Sequence, residues 1–417
     1  MLAVAGALLA LAQVHRVGGG VIAPELASRF AVETSTLGLI MAAMYIASAF
    51  AQVPMGLSYD RFGARRTMAG ASLIGLAGTV VFALAGDTAS LIVGRVLIGL
   101  GFAGVVTGAL LLTMRWAPPD RFATVGATTL ALANIAGSLL ATVPLARGFD
   151  LIGWRATFLL VSLLIVLVAA LVLLVVRDSP EGRELTGSTA GLVESLRTFK
   201  RFVDEPALRP TLLMGIAAIA PFITVGGLWA GPYLREVHGL SAAGASTLLL
   251  SMLLAMNLST LGFGPLDRLL GTRKGVVLGG AALVSLALGT LALLEAPGLW
   301  TALVLLHLTA LGVPFYVTLA AHCRAFVPEG EAGRLIGVLN LLALIGAFAA
   351  QWLTGLIVDA LAEPGRIGSA AGYRAAFGTV ALLTLGASLI YLRAPDRPPG
   401  RAPRPSNAPS GPADRHG

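Results

Sequence analysis

Apolar stretches long enough to cross a bilayer recur twelve times along the chain. They fall at about 2–23, 35–57, 67–85, 90–113, 122–146 and 156–176, and again at 210–231, 244–263, 275–294, 299–322, 333–360 and 374–392. A spanning helix needs about 20 mostly apolar residues, and each stretch supplies roughly that number. The polar turns between them are short except from about Arg177 to Arg209, where six basic and six acidic residues interrupt the hydropathy. The pattern predicts an all-α membrane protein of twelve transmembrane helices in two six-helix bundles, 1–180 and 208–393, joined by a linker at 181–207. Inside the linker Leu192, Leu196, Phe199 and Phe202 recur at helical spacing among charges, which fits either a short helix on the membrane face or an irregular connection. The final stretch, 394–417, is rich in Pro, Arg, Ser and Gly and is expected to be disordered.

The two bundles repeat one another. Gly56 to Arg66 reads G-L-S-Y-D-R-F-G-A-R-R, and Pro265 to Lys274 reads P-L-D-R-L-L-G-T-R-K, with Asp60 and Asp267 separated by 207 residues. A-P-E-L at 23–26 returns as G-P-Y-L at 231–234, an offset of 208, and G-W-R-A-T-F at 153–158 returns as G-Y-R-A-A-F at 372–377, an offset of 219. Matches in the same order at a near-constant offset point to a parallel duplication, one of the ways a carrier with a central site is built.

Composition agrees. The chain of 417 residues is 56% hydrophobic and 12% charged, with a mean hydropathy of +0.85, where soluble domains are roughly 25% charged. The net charge of +8 carries no nucleic-acid signal, because the basic residues gather in alternate loops without interleaved aromatics. Twenty-one Lys and Arg fall in the loops and tail on the side of the termini and six on the other, which places both termini in the cytoplasm of a bacterial-type inner or plasma membrane. A-L-A at 10–12 could pass for a signal-peptidase site, but no Lys or Arg precedes the apolar stretch, so it is read as a retained first helix. The single cysteine, Cys323, excludes an internal disulfide.

The turn at Gly56 to Arg66 resembles motif A of the major facilitator superfamily, G-x-x-x-D-R-x-G-R-R/K, departing at Ala64. The resemblance covers about 390 residues and implies a secondary transporter working by alternating access, with Gly56, Asp60, Arg61, Gly63, Arg65 and Arg66 as a cytoplasmic latch between the halves. Gly56 would let a neighbouring helix approach, and Asp60 would accept hydrogen bonds or face a helix N-terminus. The second copy offers Asp267, Arg268, Gly271 and Arg273, with one residue more between its Asp and Gly. Gly94 to Gly104, G-R-V-L-I-G-L-G-F-A-G, is similar to the family's motif B, with Arg95 as its arginine and glycines that suit close packing. His15 to Leu26, H-R-V-G-G-G-V-I-A-P-E-L, resembles the first-helix pattern of anion-handling branches, with His15 in the place of an aromatic.

Arg16 and Arg95 are the two cations expected deep in the membrane, and the middle third of every predicted helix lacks a carboxylate. Backbone carbonyls, acids near helix ends, or an anion that comes and goes must satisfy them. An anionic or carboxylate-bearing metabolite is the favoured substrate; Arg95 as a structural or coupling element, with Arg16 on carbonyls, is the alternative. If transport is proton-coupled, the candidate titrating groups are His15, His307 and His322. The expected substrate-binding set is His15, Arg16, Tyr45, Arg95, Asn134, Trp229, Asn257, His307 and Asn340, with Tyr316 at similar depth.

No cofactor, metal or nucleic-acid partner is expected; the partners are a small-molecule substrate, membrane lipid and a coupling proton, and the carrier is expected to be a monomer. A polytopic enzyme is disfavoured, for no H-x-x-x-x-D, H-E-x-x-H or nucleophile elbow occurs. A drug or metabolite efflux antiporter remains an alternative, although helix five, N-I-A-G-S-L-L-A-T-V-P-L from Asn134, lacks the G-P-x-x-G-G of drug antiporters. A transport-dead sensor of the same fold is the other, and would be expected to carry an added domain.

Overall fold

The computed structural model describes residues 1–117, 122–178, 197, 200–363 and 367–399; the linker helix expected around Leu192 to Phe199 and most of the tail lie outside them. Regular structure among the described residues is helical throughout. Ten apolar segments can cross a membrane when the bent pair at the N-terminus is taken as one, and two of the ten, Thr34–Leu84 and Val125–Val175, have 51 residues each. A straight helix of that length would measure about 75 Å against a hydrocarbon core of about 30 Å. One glycine divides each: Gly63 at φ 77°, ψ 176° and Gly153 at φ 78°, ψ 162°.

Twelve spans result. In the first half they are α1 (2–30), α2 (34–62), α3 (64–84), α4 (Thr88–Trp116), α5 (122–152) and α6 (154–175). In the second half they are α7 (Arg209–Glu236), α8 (Ala242–Leu270), α9 (Arg273–Leu293), α10 (Leu299–Arg324), α11 (Glu329–Ala360) and α12 (Ala370–Tyr391). The eleven-residue turn expected at Gly56 to Arg66 is helical on both sides of Gly63, because a single backbone in a glycine-only conformation ends α2 and lets α3 begin at the next residue.

The first helix of each group of three is interrupted. α1 bends by 49° at Gly18; α4 opens at Ala103–Gly104; α7 passes after Pro221 into a π-turn, Phe222–Trp229; α10 opens at Val313–Pro314. Glycine and proline at these points weaken or remove the bonds that would carry the helix through. Such breaks are tolerated at membrane depth where protein encloses them.

Met1 and the Arg177 N–H lie in contact at 3.2 Å, and Asp178 and Asp396 reach the turns that follow α2 and α8. Both ends of the described chain and both turns therefore share one face, the terminal face. The halves meet towards the opposite, distal face. A Cβ on Gly19 of α1 would lie 2.4 Å from the Gly227 carbonyl of α7, and one on Gly231 would lie 2.3 Å from that of Gly20. α2 meets α11 at Gly38, where a Cβ would fall 2.9 Å from the Gln351 carbonyl. Polar bonds close the rim: the Thr34 N–H donates to Asp359 Oδ1 at 2.9 Å and its hydroxyl to the Ile367 carbonyl. Glu236 at the end of α7 accepts from the Ile367 N–H (3.0 Å), the Gly368 N–H (3.2 Å) and the Tyr373 hydroxyl (2.6 Å). Residues 209–218 of α7 pack instead on α10, α11 and α12 of their own half.

Candidate substrate-binding site

The break in α1 organises the site. The Gly18 N–H still reaches the Val14 carbonyl at 3.0 Å, and the ladder resumes with Val21 and Ile22 donating to Gly18. The carbonyls of His15 and Arg16 between these points are taken by side chains. Arg95 Nη1 from α4 donates to His15 at 3.0 Å, and the Tyr45 hydroxyl from α2 donates to Arg16 at 2.9 Å. Buried carbonyls left bare would cost free energy comparable to a lost hydrogen bond, so these two side chains stabilise the bend.

Arg95 is enclosed. It is 1% exposed, its Nη2 lies 3.0 Å from Met41 Sδ, and its guanidinium sits 4.6 Å from the centre of the Phe82 ring. Its Nε has no partner. His15 is also 1% exposed, stacked between Phe102 and Phe158 at 5.6 and 6.0 Å. His15 Nε2 lies 3.2 Å from Thr79 Oγ1, whose hydroxyl also has the Gly75 carbonyl at 2.8 Å.

Arg16 differs from both. Its side chain keeps part of its surface open, and its guanidinium makes no hydrogen bond or ion pair with any described residue. Of the two cations expected at depth, Arg95 is engaged by a carbonyl, a thioether and an aromatic face, and Arg16 is free.

The remaining expected residues are scattered. Trp229 is fully buried in the π-turn of α7 and donates from Nε1 to Thr354 Oγ1 at 2.8 Å. Asn257 Nδ2 donates to the Leu253 carbonyl of its own helix at 2.7 Å. His307 bridges α10 and α8 through Ser251 at 2.9 Å, while Asn134 and Asn340 are half-buried on α5 and α11. Gln351 escaped the sequence reading. Its Nε2 donates to the Ile223 carbonyl at 2.9 Å, serving the π-turn of α7 as Arg95 and Tyr45 serve the bend of α1. An amide in the apolar run of α11, eleven residues after Asn340, was the available signal.

Towards the terminal face from the bend, a cavity of about 590 Å³ lies between α1 and α5, lined by residues including Ala3, Ala7 and Ala10 of α1 and Thr128, Thr129 and Leu132 of α5. On α1 that stripe continues at helical spacing to Val14 and Val17, which cluster with Ala141 of α5, Leu253 of α8 and Phe222 of α7. The wall of the cavity therefore leads, towards the distal face, into an apolar contact between the halves.

At the terminal face Gly56 has open space, with nothing within 4 Å of an added Cβ, so no helix makes the close approach expected there. Asp60 lies within electrostatic reach of Arg115 on α4 and Arg334 on α11. Arg61 is exposed over Phe62, Arg66 is exposed, and Arg65 Nε donates to the Leu173 carbonyl at 2.8 Å. In the second copy Asp267 folds back on Arg273 at 3.3 Å, Arg268 is exposed, and Gly271, at φ 63°, ends α8. Among the described residues there is no cluster of metal-ligating side chains.

The sequence model of the Major Facilitator Superfamily matches residues 5–262 and, a second time, residues 213–415. The chain belongs to the Major Facilitator Superfamily. A gentisate transporter of Corynebacterium glutamicum is 27% identical over 395 residues, covering 90% of this chain and 83% of that protein. A protein named as a probable sulfoacetate transporter of Cupriavidus necator is 28% identical over 171 residues, 41% of this chain and 40% of that relative, so the match spans less than half of its length. A bacterial homolog of the human lysosomal transporter Spinster, in an inward-facing and unoccupied conformation, shares the fold at a TM-score of 0.75 and 20% identity over 94% of this chain and 96% of its own. The inward-open xylose transporter of Escherichia coli does so at 0.71 and 16%, covering 96% of each chain. This superfamily member is a transmembrane transporter of small molecules and not an enzyme.

Proposed function

We propose that this transporter carries a small organic anion, with Arg16 at the bend of α1 as the group that binds its carboxylate. The observation that carries this reading is the free guanidinium of Arg16, half-buried within a membrane span with no described carboxylate or carbonyl against it. A bare cation at that depth is costly, and a planar carboxylate meets a guanidinium through two parallel charge-assisted bonds. The gentisate and sulfoacetate of the two relatives' names are both carboxylate anions, which supports the same class. Arg95 has the role of holding the bend rather than the ligand. The seam of α1 with α7 runs on both sides of Arg16, through Val14 and Val17 against Phe222 and through Gly19 against Gly227, so a bound anion bears on the contact that alternating access must make and break. The distribution of Lys and Arg supports a cytoplasmic terminal face in an inner or plasma membrane, and the carrier acts as a monomer.

A thermal-shift series on purified protein tests this, with gentisate and sulfoacetate as probes and uncharged analogues as controls. The anions raise the midpoint of the wild type and leave Arg16→Ala unmoved. Stabilisation of Arg16→Ala by the same anions to the same extent, or of the wild type by the neutral analogues alone, sinks the proposal.

A further inference from the structure

Thr34 opens α2 on a carboxylate of the other half. Its N–H, the first of the helix, donates to Asp359 Oδ1 at the end of α11 at 2.9 Å, and its hydroxyl donates to the Ile367 carbonyl. Glu236 holds that carbonyl in place by accepting the N–H groups of Ile367 and Gly368. A free N–H at a helix start, reinforced by the helix dipole, favours a negative charge, and here the bond spans the two halves. One turn further in, a Cβ on Gly38 of α2 would fall 3.0 Å from the Gly355 Cα of α11, so the two backbones cross almost in contact.

The repeat supplies the same groups at the opposite edge of the gate. α8 begins at Ala242, 208 residues after Thr34, and Asp150, near the end of α5, precedes Asp359 by 209. The second offset is anchored in the packing: Gly137 of α5 and Gly346 of α11 are also 209 apart, and each lies against the first helix of its own half, at the Ala10 and Ile216 carbonyls. α8 packs along α5 as α11 packs along α2. Yet the bond is not made. Among the described residues Asp150 has no hydrogen bond or ion pair, and the N–H groups of Ala242 and Ala243 have no acceptor, the Ser241 side chain serving only that of Gly244.

The two edges differ in the width of their crossings. By the same offsets, the residues that correspond to Gly38 and Gly355 are Ser246 on α8 and Ala146 on α5, and both are buried. Two glycines let helix backbones meet, whereas a hydroxymethyl and a methyl in their place hold them apart. A hydrogen bond such as that of Thr34, at 2.9 Å, is lost by about 3.6 Å, so a separation larger by about 1 Å is enough to leave Asp150 and Ala242 unpaired.

We propose that the distal gate is latched along one edge only, by Asp359 on the start of α2, and that Asp150 is its silent counterpart, kept off the start of α8 by the side chains of Ala146 and Ser246. To open, the α2–α11 edge must break the two bonds of Thr34, with Glu236 a positioning residue for one of them. The α5–α8 edge has no hydrogen bond among the described residues; its contact is apolar, Ala141 and Leu253 clustering with Val14 and Val17. The latch does not depend on which solute is carried, nor on the role of Arg16.

Spin-label distances in the full chain in nanodiscs read the two edges separately. Labels on Ser28 and Ala362 report the α2–α11 edge and labels on Leu151 and Thr247 the α5–α8 edge, all four positions being exposed, in a Cys323→Ser background. Asp359→Ala is expected to raise the ratio of distal-open to distal-closed populations about tenfold, the effect of one charge-assisted hydrogen bond, while Asp150→Ala leaves both distributions at wild type. Ala146→Gly combined with Ser246→Gly is expected to shorten the Leu151–Thr247 distance, and adding Asp150→Ala reverses part of that gain. Populations unmoved by Asp359→Ala, or moved equally by Asp150→Ala, overturn the one-sided latch. A glycine pair that leaves the distance unchanged, or shortens it just as much without the Asp150 carboxylate, overturns the counterpart. Should Asp359→Ala not fold, Asp359→Asn, which keeps the shape and loses the charge, is expected to shift the ratio in the same direction by less, and an unshifted ratio there overturns the latch as well.

Discussion

The Asp178 carboxylate, at the end of α6, accepts a hydrogen bond from the Arg65 backbone N–H at 2.9 Å. Asp396, just past α12, does the same for the Lys274 N–H at 3.2 Å. Each acid meets the start of the third helix of its half, where free N–H groups and the helix dipole favour a negative charge. Arg65 Nε on the Leu173 carbonyl (2.8 Å) and Lys274 Nζ on that of Leu392 (2.6 Å) return the favour from the basic side. The charged turns thus fasten the last helix of each half to its third.

At Gly63 the fit leaves no room. A Cβ there would lie 2.6 Å from the Asp178 carboxyl, on a backbone with φ 77° that other residues avoid. Gly63→Ala is expected to lower stability by about 1–3 kcal/mol from backbone strain alone. Chemical unfolding in detergent measures it, and a loss below the uncertainty of the melt contradicts the geometry.

Arg95 and Arg16 should separate cleanly. Arg95→Met removes a charge-assisted bond to the His15 carbonyl and a cation–π contact, and is expected to cost about 2–4 kcal/mol. Arg16→Ala removes a side chain that holds nothing in the fold and should stay within about 1 kcal/mol of wild type while abolishing anion stabilisation. The pair of melts, with and without gentisate, checks both.

The distal seam is sensitive to single methyl groups. Gly19→Ala forces a Cβ towards the Gly227 carbonyl, at 2.4 Å in the present packing, and should shift the population towards forms in which α1 and α7 part at that end. Spin labels on the α1–α2 and α7–α8 connections should report a longer mean distance than in the wild type, and an unchanged distribution speaks against a tight seam.

His238, in the connection after α7, has its pKa lowered by burial, and its ring stands edge-on to Tyr233 at 5.1 Å. A folded-state value below the ordinary 6.5 means that the unfolded chain binds the proton more readily, so this contribution is intact above about pH 6.5 and declines as pH falls through the depressed value. His238→Gln should flatten the acid limb of a stability-against-pH curve; an identical limb removes His238 as its source.

The spans, their number and the duplication were legible because hydropathy and repeat offset survive without tertiary context. The fate of Arg95 was not, for it depends on the His15 carbonyl, 80 residues away on a different helix, which is open to a side chain only because α1 breaks at Gly18. Gly18 and Pro314 sit at breaks, but a sequence does not say which side chains serve the carbonyls freed there. Asp178 and Asp396 carry no distinguishing local pattern, since their partners lie 113 and 122 residues back. Leu192, Leu196 and Phe199 fall outside the described residues; of the helix expected in the linker, Arg197 and residues 200–204 are described and are helical.

The interruptions of α1, α4, α7 and α10 also change what each half can do mechanically. An unbroken helix conveys a tilt at one end to the other as a rigid lever; α1, α4, α7 and α10 are articulated, with side chains such as Arg95, Tyr45 and Gln351 acting as detachable pins at two of the joints. The distal segments can thus swing while the terminal segments stay docked.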